Sequence, residues 1–151
     1  MEQLAPLIRI NSVARQNRHC EPDTIYHVTA RGVERRAIFL TDKDRQYFMS
    51  LLLGALRASE CSLFAFCLMG NHFHLLAAAG KTPLSTPLHL ALTTYALRFN
   101  SANKRVGHLF QDRFYSRPVY DRHYLHNVIA YIHATPVRAK LVPTPEAWSW
   151  S

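Results

Sequence analysis

The sequence lacks long hydrophobic runs, internal repeats and a set of cysteines that could all pair. No window approaches eighteen uninterrupted apolar residues, which argues against a membrane span. Residues 1–10 have neither the apolar core nor the small-residue cleavage site of a secretory signal. The three cysteines form no CxxC motif. We expect reduced thiols in a cytoplasmic protein, with Cys61 and Cys67 in the core.

Acidic residues are also scarce relative to basic ones. Ten Asp and Glu face eighteen Lys and Arg, which gives a net charge of +8, and fourteen of the cations are Arg. Arginine makes planar, bidentate contacts with phosphate. Eight cations and only two acids lie between Arg98 and Lys140. This charge favours a nucleic-acid partner, although a basic protein without such a partner could have the same composition.

The chain has the length and composition of one globular domain. It has 151 residues, of which 48% are hydrophobic and 19% are charged. Residues 1–24 show no clear period and predict an irregular N-terminal arm. Residues 25–151 carry regular patterns and form the predicted folded domain.

Periodicity predicts four strands and three helices. The pattern gives strands at 25–31, 63–68, 72–79 and 114–119, and helices at 42–59, 87–100 and 122–134. Thr41 and Asp44 form a capping box, Thr86 precedes a proline at the first helical position, and Pro136 ends the last helix. Pro118 indicates an edge strand. The order predicts an α+β, ferredoxin-like split βαβ fold, an antiparallel sheet with helices packed on it, plus an extra third helix crossing the other face or an edge.

The sequence His72-Phe73-His74 lies within a predicted strand. A period of two places both imidazoles on one face, about 7 Å apart, and Phe73 in the core. Such a pair can share a metal ion, and the same spacing also fits two half-exposed surface histidines.

The third predicted helix carries a tyrosine beside its buried stripe, where it can present its hydroxyl to a site. Tyr131 projects about 120° from the stripe formed by Leu125, Val128, Ile129 and Ile132. A surface tyrosine packed on the sheet fits the same pattern. Periodicity does not rank it above the rival hydroxyls of Tyr95, Tyr115, Tyr120 and Tyr124.

Four ordered segments carry a resemblance to a known family. They are residues 26–32 (YHVTARG), 69–76 (MGNHFHLL), 107–114 (GHLFQDRF) and 131–139 (YIHATPVRA). Together they resemble the REP-associated tyrosine transposases, a bacterial branch of the HUH single-strand transposases of insertion sequences. The resemblance covers residues 25–151 and implies a transposase-like catalytic domain with the fold predicted above.

The resemblance implies a role for each matching residue. His72 and His74 would hold Mg²⁺ or Mn²⁺, and Tyr131 would attack a DNA phosphate to leave a 5′-phosphotyrosine and a free 3′-OH. The covalent link conserves the bond energy, so no nucleotide cofactor is needed for rejoining. The implied partner is single-stranded or hairpin DNA, in particular palindromic repeat hairpins.

The chain departs from the family pattern at two positions. Gly70 replaces the usual proline before the Asn-His pair, which changes a turn. Thr135 replaces the usual amide four residues after the nucleophile, which would be the third metal ligand. The i, i+4 spacing places Thr135 on the same helix face as Tyr131. Relatives usually continue beyond residues 148–151, so we do not expect a DNA-reading tail within this chain.

Five arginines are candidates for phosphate contacts, and each of them also fits a solvated surface charge. They lie at predicted strand ends or near the third helix: Arg31, Arg113, Arg117, Arg122 and Arg138.

The sequence thus predicts a metal-dependent single-strand DNA endonuclease and strand transferase, of undetermined oligomeric state. The first alternative is a hairpin-binding protein of the same fold that has lost cleavage through Thr135. The second is an RNA-binding ferredoxin-like domain, for which Phe64 and Phe66 alternate suitably but no RNP-type Lys/Arg-Gly-Phe/Tyr run is present.

Overall fold

The computed structural model describes residues 21–151, so most of the predicted arm, including Cys20, lies outside the described residues. The seven predicted elements are present in the predicted order. They are β1 (Ile25–Arg31), α1 (Asp42–Ala58), β2 (Ser62–Leu68), β3 (His72–Ala78), α2 (Ser85–Ala102), β4 (Tyr115–Val119) and α3 (Arg122–Arg138). Short 3₁₀ turns cover Val33–Arg35 and Pro145–Ala147.

The four strands form one antiparallel sheet in the order β2-β3-β1-β4. This is the split βαβ arrangement, in which β3 lies between β1 and β2, and it confirms the predicted α+β fold. β4 is an edge strand, which agrees with the position of Pro118. In the β1–β3 pairing, Thr29 lies opposite His74 and Arg31 lies opposite His72.

The two faces of the sheet have different neighbours. Tyr26, Val28, Phe73 and Leu75 point to the face covered by α1 and α2, where they form the larger core cluster. α1 begins at Asp42 because Thr41 and Asp44 form the predicted capping box.

The opposite face is covered in part by α3. Val128 and Ile132 of this helix are buried against Leu76, Cys67 and Val119 of the sheet. The third helix therefore crosses the face on which the histidines lie. Cys61 and Cys67 are buried, as predicted.

Two predicted helix boundaries are wrong. α2 begins at Ser85 and not after a Thr86 cap, so Pro87 is the third helical residue. Its missing N–H costs little there, because the first four amides of a helix have no partner within the helix. α3 continues through Pro136 to Arg138, where Pro136 is buried in the last turn. The helix ends as the Ala139 and Lys140 amides bond to Thr135 and Val137 carbonyls.

The segment after α3 crosses the β2 edge of the sheet. The amide of Leu68 donates to the Trp150 carbonyl at 2.8 Å, and the Trp148 indole donates to the Leu68 carbonyl at 3.3 Å. These contacts connect the end of α3 to the sheet. Within residues 21–151, no helix has both the length and the apolar character that crossing a membrane requires.

Candidate functional site

Three histidines lie side by side on the sheet face next to α3. His72 and His74 share this face and Phe73 is fully buried on the other, as the strand period predicts. The ring centroids of His72 and His74 are 5.2 Å apart and nearly perpendicular. His27 of β1 lies edge to edge with His74, with a centroid distance of 5.3 Å and the two rings nearly coplanar. His74 is the only buried polar or charged side chain among residues 21–151.

Hydrogen bonds occupy one nitrogen of each strand β3 histidine. His72 Nδ1 lies 2.7 Å from Asn71 Oδ1. An amide oxygen only accepts, so Nδ1 carries the proton and His72 Nε2 keeps its lone pair. His74 Nδ1 lies 3.0 Å from His27 Nε2. In both residues Nε2 is thus the nitrogen not used by these contacts.

The environment favours neutral imidazoles. Burial lowers the pKa of His74 to about 3, and the neighbouring His72, His27 and Arg31 contribute to this shift. Burial also lowers the pKa of His72, with a contribution from Arg31, and the pKa of His27, with a contribution from Arg117. A neutral imidazole is the form that binds a metal ion.

Tyr131 projects from α3 over the histidines. The edge-on contact of its ring with His74 has a centroid distance of 5.4 Å, and His27 is at 6.1 Å. The guanidinium of Arg138 lies over the same ring, 5.0 Å from its centroid. The residue remains 42% exposed.

Thr135 lies one turn after Tyr131, on the same side of α3. Its hydroxyl donates to the Tyr131 carbonyl at 2.9 Å. This bond uses the hydroxyl proton and leaves lone pairs on Oγ1. The oxygen is a possible ligand, although a neutral hydroxyl is a weaker one than an amide oxygen.

These side chains line a common open cavity of about 310 Å³. The cavity wall includes these predicted site residues: Arg31, His72, His74, Arg113, Tyr131 and Thr135. A neighbouring groove shares His74, Tyr115 and Tyr131 with the cavity and adds His27, Arg117 and Tyr124. Arg138 reaches the site through its contact with Tyr131. Arg122, at the start of α3, does not line the cavity or the groove.

The rival tyrosines are separated by the fold. Tyr95 is buried in the other core and donates to the Ile38 carbonyl, and burial raises its pKa above the ordinary range. Tyr120 lies in a different groove, near the start of α3. The guanidinium of Arg117 lies over the Tyr124 ring, 5.1 Å from its centroid. Tyr115 lines the cavity together with Tyr131 and is the one rival that does so.

Sequence reasoning missed three side chains near the site. His27 contacts His74 directly, and Gln111 and Asp112 line the cavity. All three occur in the segments that carry the family resemblance. The alternation of β1 places His27 on the face of Thr29 and Arg31, but only the pairing with β3 brings it next to His74.

The donor set can be compared with what a divalent metal requires. Among residues 21–151, no three His, Cys, Asp or Glu side chains are grouped so that they could hold a metal ion. The Nε2 atoms of His72 and His74 and the Thr135 oxygen remain as candidate ligands. These ligands fit an ion that completes its shell with water and with oxygens of a bound molecule.

Residues 20–135 match the IS200-like transposase family over most of the chain. The chain belongs to this family, and it is a transposase-like DNA-binding protein.

Two solved structures have the same fold. One is a REP-associated tyrosine transposase bound to a REP hairpin, with a TM-score of 0.75 and 16% identity over 91% of this chain and 81% of that one. The other is a candidate transposase from Deinococcus radiodurans R1, with a TM-score of 0.52 and 19% identity over 78% of this chain and 95% of that one. No curated protein sequence matches the chain.

Proposed function

We propose that the chain is a metal-dependent single-strand DNA endonuclease and strand transferase that acts on palindromic repeat hairpins. The observation that carries this proposal is the contact of the Tyr131 ring with His74, in a cavity that His72 and Thr135 also line. The hairpin substrate rests on the similar transposase that binds a REP hairpin. Residues 25–151 would form the catalytic domain.

In the proposed reaction the Tyr131 oxygen attacks a DNA phosphate. The O–P bond to tyrosine forms as the bond to the 3′ oxygen breaks, the phenolic proton leaves, and the 3′ oxygen ends as a protonated hydroxyl. A phenol with an ordinary pKa near 10 is a weak nucleophile at neutral pH, so the phosphate must be activated. Reversal of the same step by a 3′-OH rejoins the strand without a nucleotide cofactor.

His72 and His74 would hold Mg²⁺ or Mn²⁺ through Nε2, with Thr135 as a weak third ligand. Such an ion polarises the phosphate and stabilises charge on the leaving oxygen. Because the pKa values of both histidines are lowered, both imidazoles are neutral at neutral pH, as metal binding requires. Titration of Mn²⁺ into wild type and His72→Ala tests the site, and equal affinity in the two would contradict it.

Arginines around the cavity would contact the DNA backbone. Arg31 and Arg113 line the cavity, Arg117 lines the adjoining groove, and Arg138 covers Tyr131. Arg122 would contact DNA further along, at the start of α3. We expect hairpin DNA to bind better than a matched duplex, and equal affinities at all salt concentrations would refute hairpin recognition.

The decisive experiment uses Tyr131→Phe, which removes one oxygen and keeps the ring contacts. Each variant is incubated with labelled hairpin and Mn²⁺, and a denaturation-resistant conjugate with 5′-DNA is sought. We expect the conjugate in wild type and not in Tyr131→Phe, with hairpin binding retained in both. Tyr115→Phe is the matched control, because Tyr115 lines the same cavity. Loss of the conjugate in Tyr115→Phe alone would transfer the role to Tyr115.

A non-catalytic hairpin-binding protein is the second candidate, favoured by one observation. The Thr135 hydroxyl bonds to the backbone, in the place where the resemblance implies an amide ligand. Binding without any conjugate in wild type would support this candidate. An RNA-binding platform is less well supported, because Phe66 packs against the core on the edge strand β2.

A further inference from the structure

His27 is placed to control which nitrogen of His74 carries the proton. The two residues lie diagonally across the β1–β3 pair, since His74 is paired with Thr29 and His27 is two residues away on the same face. Their rings are nearly coplanar, with an interplanar angle of 22°, and His27 Nε2 lies 3.0 Å from His74 Nδ1, as a hydrogen bond in the ring plane requires. Tyr131 packs edge-on against both rings, which restricts their movement.

A hydrogen bond between two neutral imidazoles needs one N–H and one lone pair. If His74 Nδ1 donates to His27 Nε2, the lone pair of His74 is on Nε2. If His27 Nε2 donates instead, His74 Nε2 carries the proton and cannot bind a metal. The contact geometry is the same in both cases, so the tautomer of His27 decides whether His74 can be a ligand.

The neighbouring histidine shows the arrangement that a ligand needs. Asn71 Oδ1 accepts from His72 Nδ1 at 2.7 Å, and this leaves the lone pair on His72 Nε2. His74 has no comparable carbonyl at its Nδ1, and the side chain at that position is His27. Metal-binding histidines commonly donate their second N–H to such a partner, which orients the ring and fixes the tautomer.

We propose that His27 is a positioning residue that accepts a hydrogen bond from His74 Nδ1–H and thereby presents His74 Nε2 as a metal ligand. This inference rests on the proposed function, in which His72 and His74 hold a divalent ion. His27 then carries its own proton on Nδ1 and does not touch the ion. His27 thus has the same role toward His74 that Asn71 has toward His72.

The first test is nitrogen NMR of ¹⁵N-histidine-labelled, metal-free wild type, which distinguishes protonated from unprotonated ring nitrogens. We expect His74 to be protonated on Nδ1 and His27 on Nδ1. A His74 protonated on Nε2 overturns the proposal, and this result does not depend on any variant folding.

The second test compares Mn²⁺ affinity in three variants. Loss of a partner to a ligating histidine typically weakens metal binding about 10- to 100-fold, so we expect this loss in His27→Ala. His27→Gln offers an amide oxygen that can accept from His74 Nδ1–H, and it should restore most of the affinity. His126→Ala, an exposed histidine of α3, is the control and should bind as wild type does.

The outcomes separate this inference from the proposed function. Wild type that binds no Mn²⁺ contradicts the proposed metal site itself. Strong Mn²⁺ binding in wild type and an undiminished affinity in His27→Ala overturn the role of His27 alone. Equal losses in His27→Ala and His27→Gln, with both folded by circular dichroism, also overturn it, since a hydrogen-bond acceptor would then not matter.

Discussion

The loop between β1 and α1 should tolerate no side chain at Gly32. This residue has ordinary extended angles, φ −64° and ψ 145°, so backbone conformation is not the reason. A Cβ at this position would lie 2.1 Å from the carbonyl oxygen of Arg36 and 3.0 Å from Cγ2 of Ile38. The first of these atoms belongs to the backbone and cannot rotate away.

The clash gives the expected cost of Gly32→Ala. The loop must move by nearly 1 Å before the Cβ–oxygen distance exceeds 3.0 Å, the lower limit for such contacts. Overpacking of this kind typically costs about 1–3 kcal/mol, and we expect the upper part of that range because backbone must move. For a chain of this size the melting temperature should fall by roughly 5–10 °C.

The movement should also reach the candidate site. The Gly32 amide donates to the Asn71 carbonyl at 2.9 Å, and Asn71 is the residue that fixes the His72 tautomer. We therefore expect weaker Mn²⁺ binding in Gly32→Ala even at temperatures where it is folded.

Urea unfolding followed by circular dichroism measures the effect. Gly54→Ala is the control, because Gly54 lies in α1 and a Cβ added there would meet no atom within 4 Å. It should gain about 0.5–1 kcal/mol from the better helix propensity of alanine. If Gly32→Ala unfolds at the same urea concentration as wild type, the steric reasoning is refuted.

Three further predictions concern pH, metal and salt. In metal-free protein, the free energy of unfolding should fall as the pH decreases from 6.5 towards 3, by up to about 1.4 kcal/mol per pH unit. The reason is that the unfolded chain binds a proton in this range and folded His74 does not. A His74→Gln variant with the same pH dependence in urea unfolding would contradict this. Thr135→Asn should bind Mn²⁺ more tightly than wild type because it supplies an amide oxygen, and Thr135→Val should bind it more weakly. Calorimetric titrations in which the affinities of these two variants and wild type follow any other order would exclude residue 135 as a ligand. Arg113→Gln should reduce the slope of log affinity against log salt concentration by about 0.7 for single-stranded DNA. The control Lys81→Gln, remote from the site, should leave the slope unchanged. Equal slopes for Arg113→Gln and wild type in fluorescence anisotropy would show that Arg113 does not contact the DNA.

Much of the fold could be predicted because its signals are local. The capping box of Thr41 and Asp44 marks a helix start, and the alternation in β1 and β3 assigns each residue to a face. The position of Tyr131 beside the buried stripe of α3 also follows from helix geometry.

The remaining features depend on contacts between distant segments. His27 and His74 are 47 residues apart, and their contact depends on a strand register that a single sequence does not display. The predicted end of α3 is wrong because proline usually breaks a helix, whereas Pro136 lies in the last turn and is buried there. Gln111 and Asp112 lie in an irregular segment without a period, so no pattern indicates that they line the cavity.

The alternation of β1 and β3 has a consequence for how such a protein can change over evolutionary time. Residues of the same two strands serve two separate purposes, since Val28 and Phe73 build the main core while His27 and His74 face α3. Point substitutions on the α3 side can therefore alter the candidate site without disturbing the larger core. Insertion or deletion of one residue within either strand would exchange the two sides, placing imidazoles in the larger core and aromatic rings on the side of α3. We expect related proteins to differ by substitutions within these strands and to differ in length only in the connecting loops.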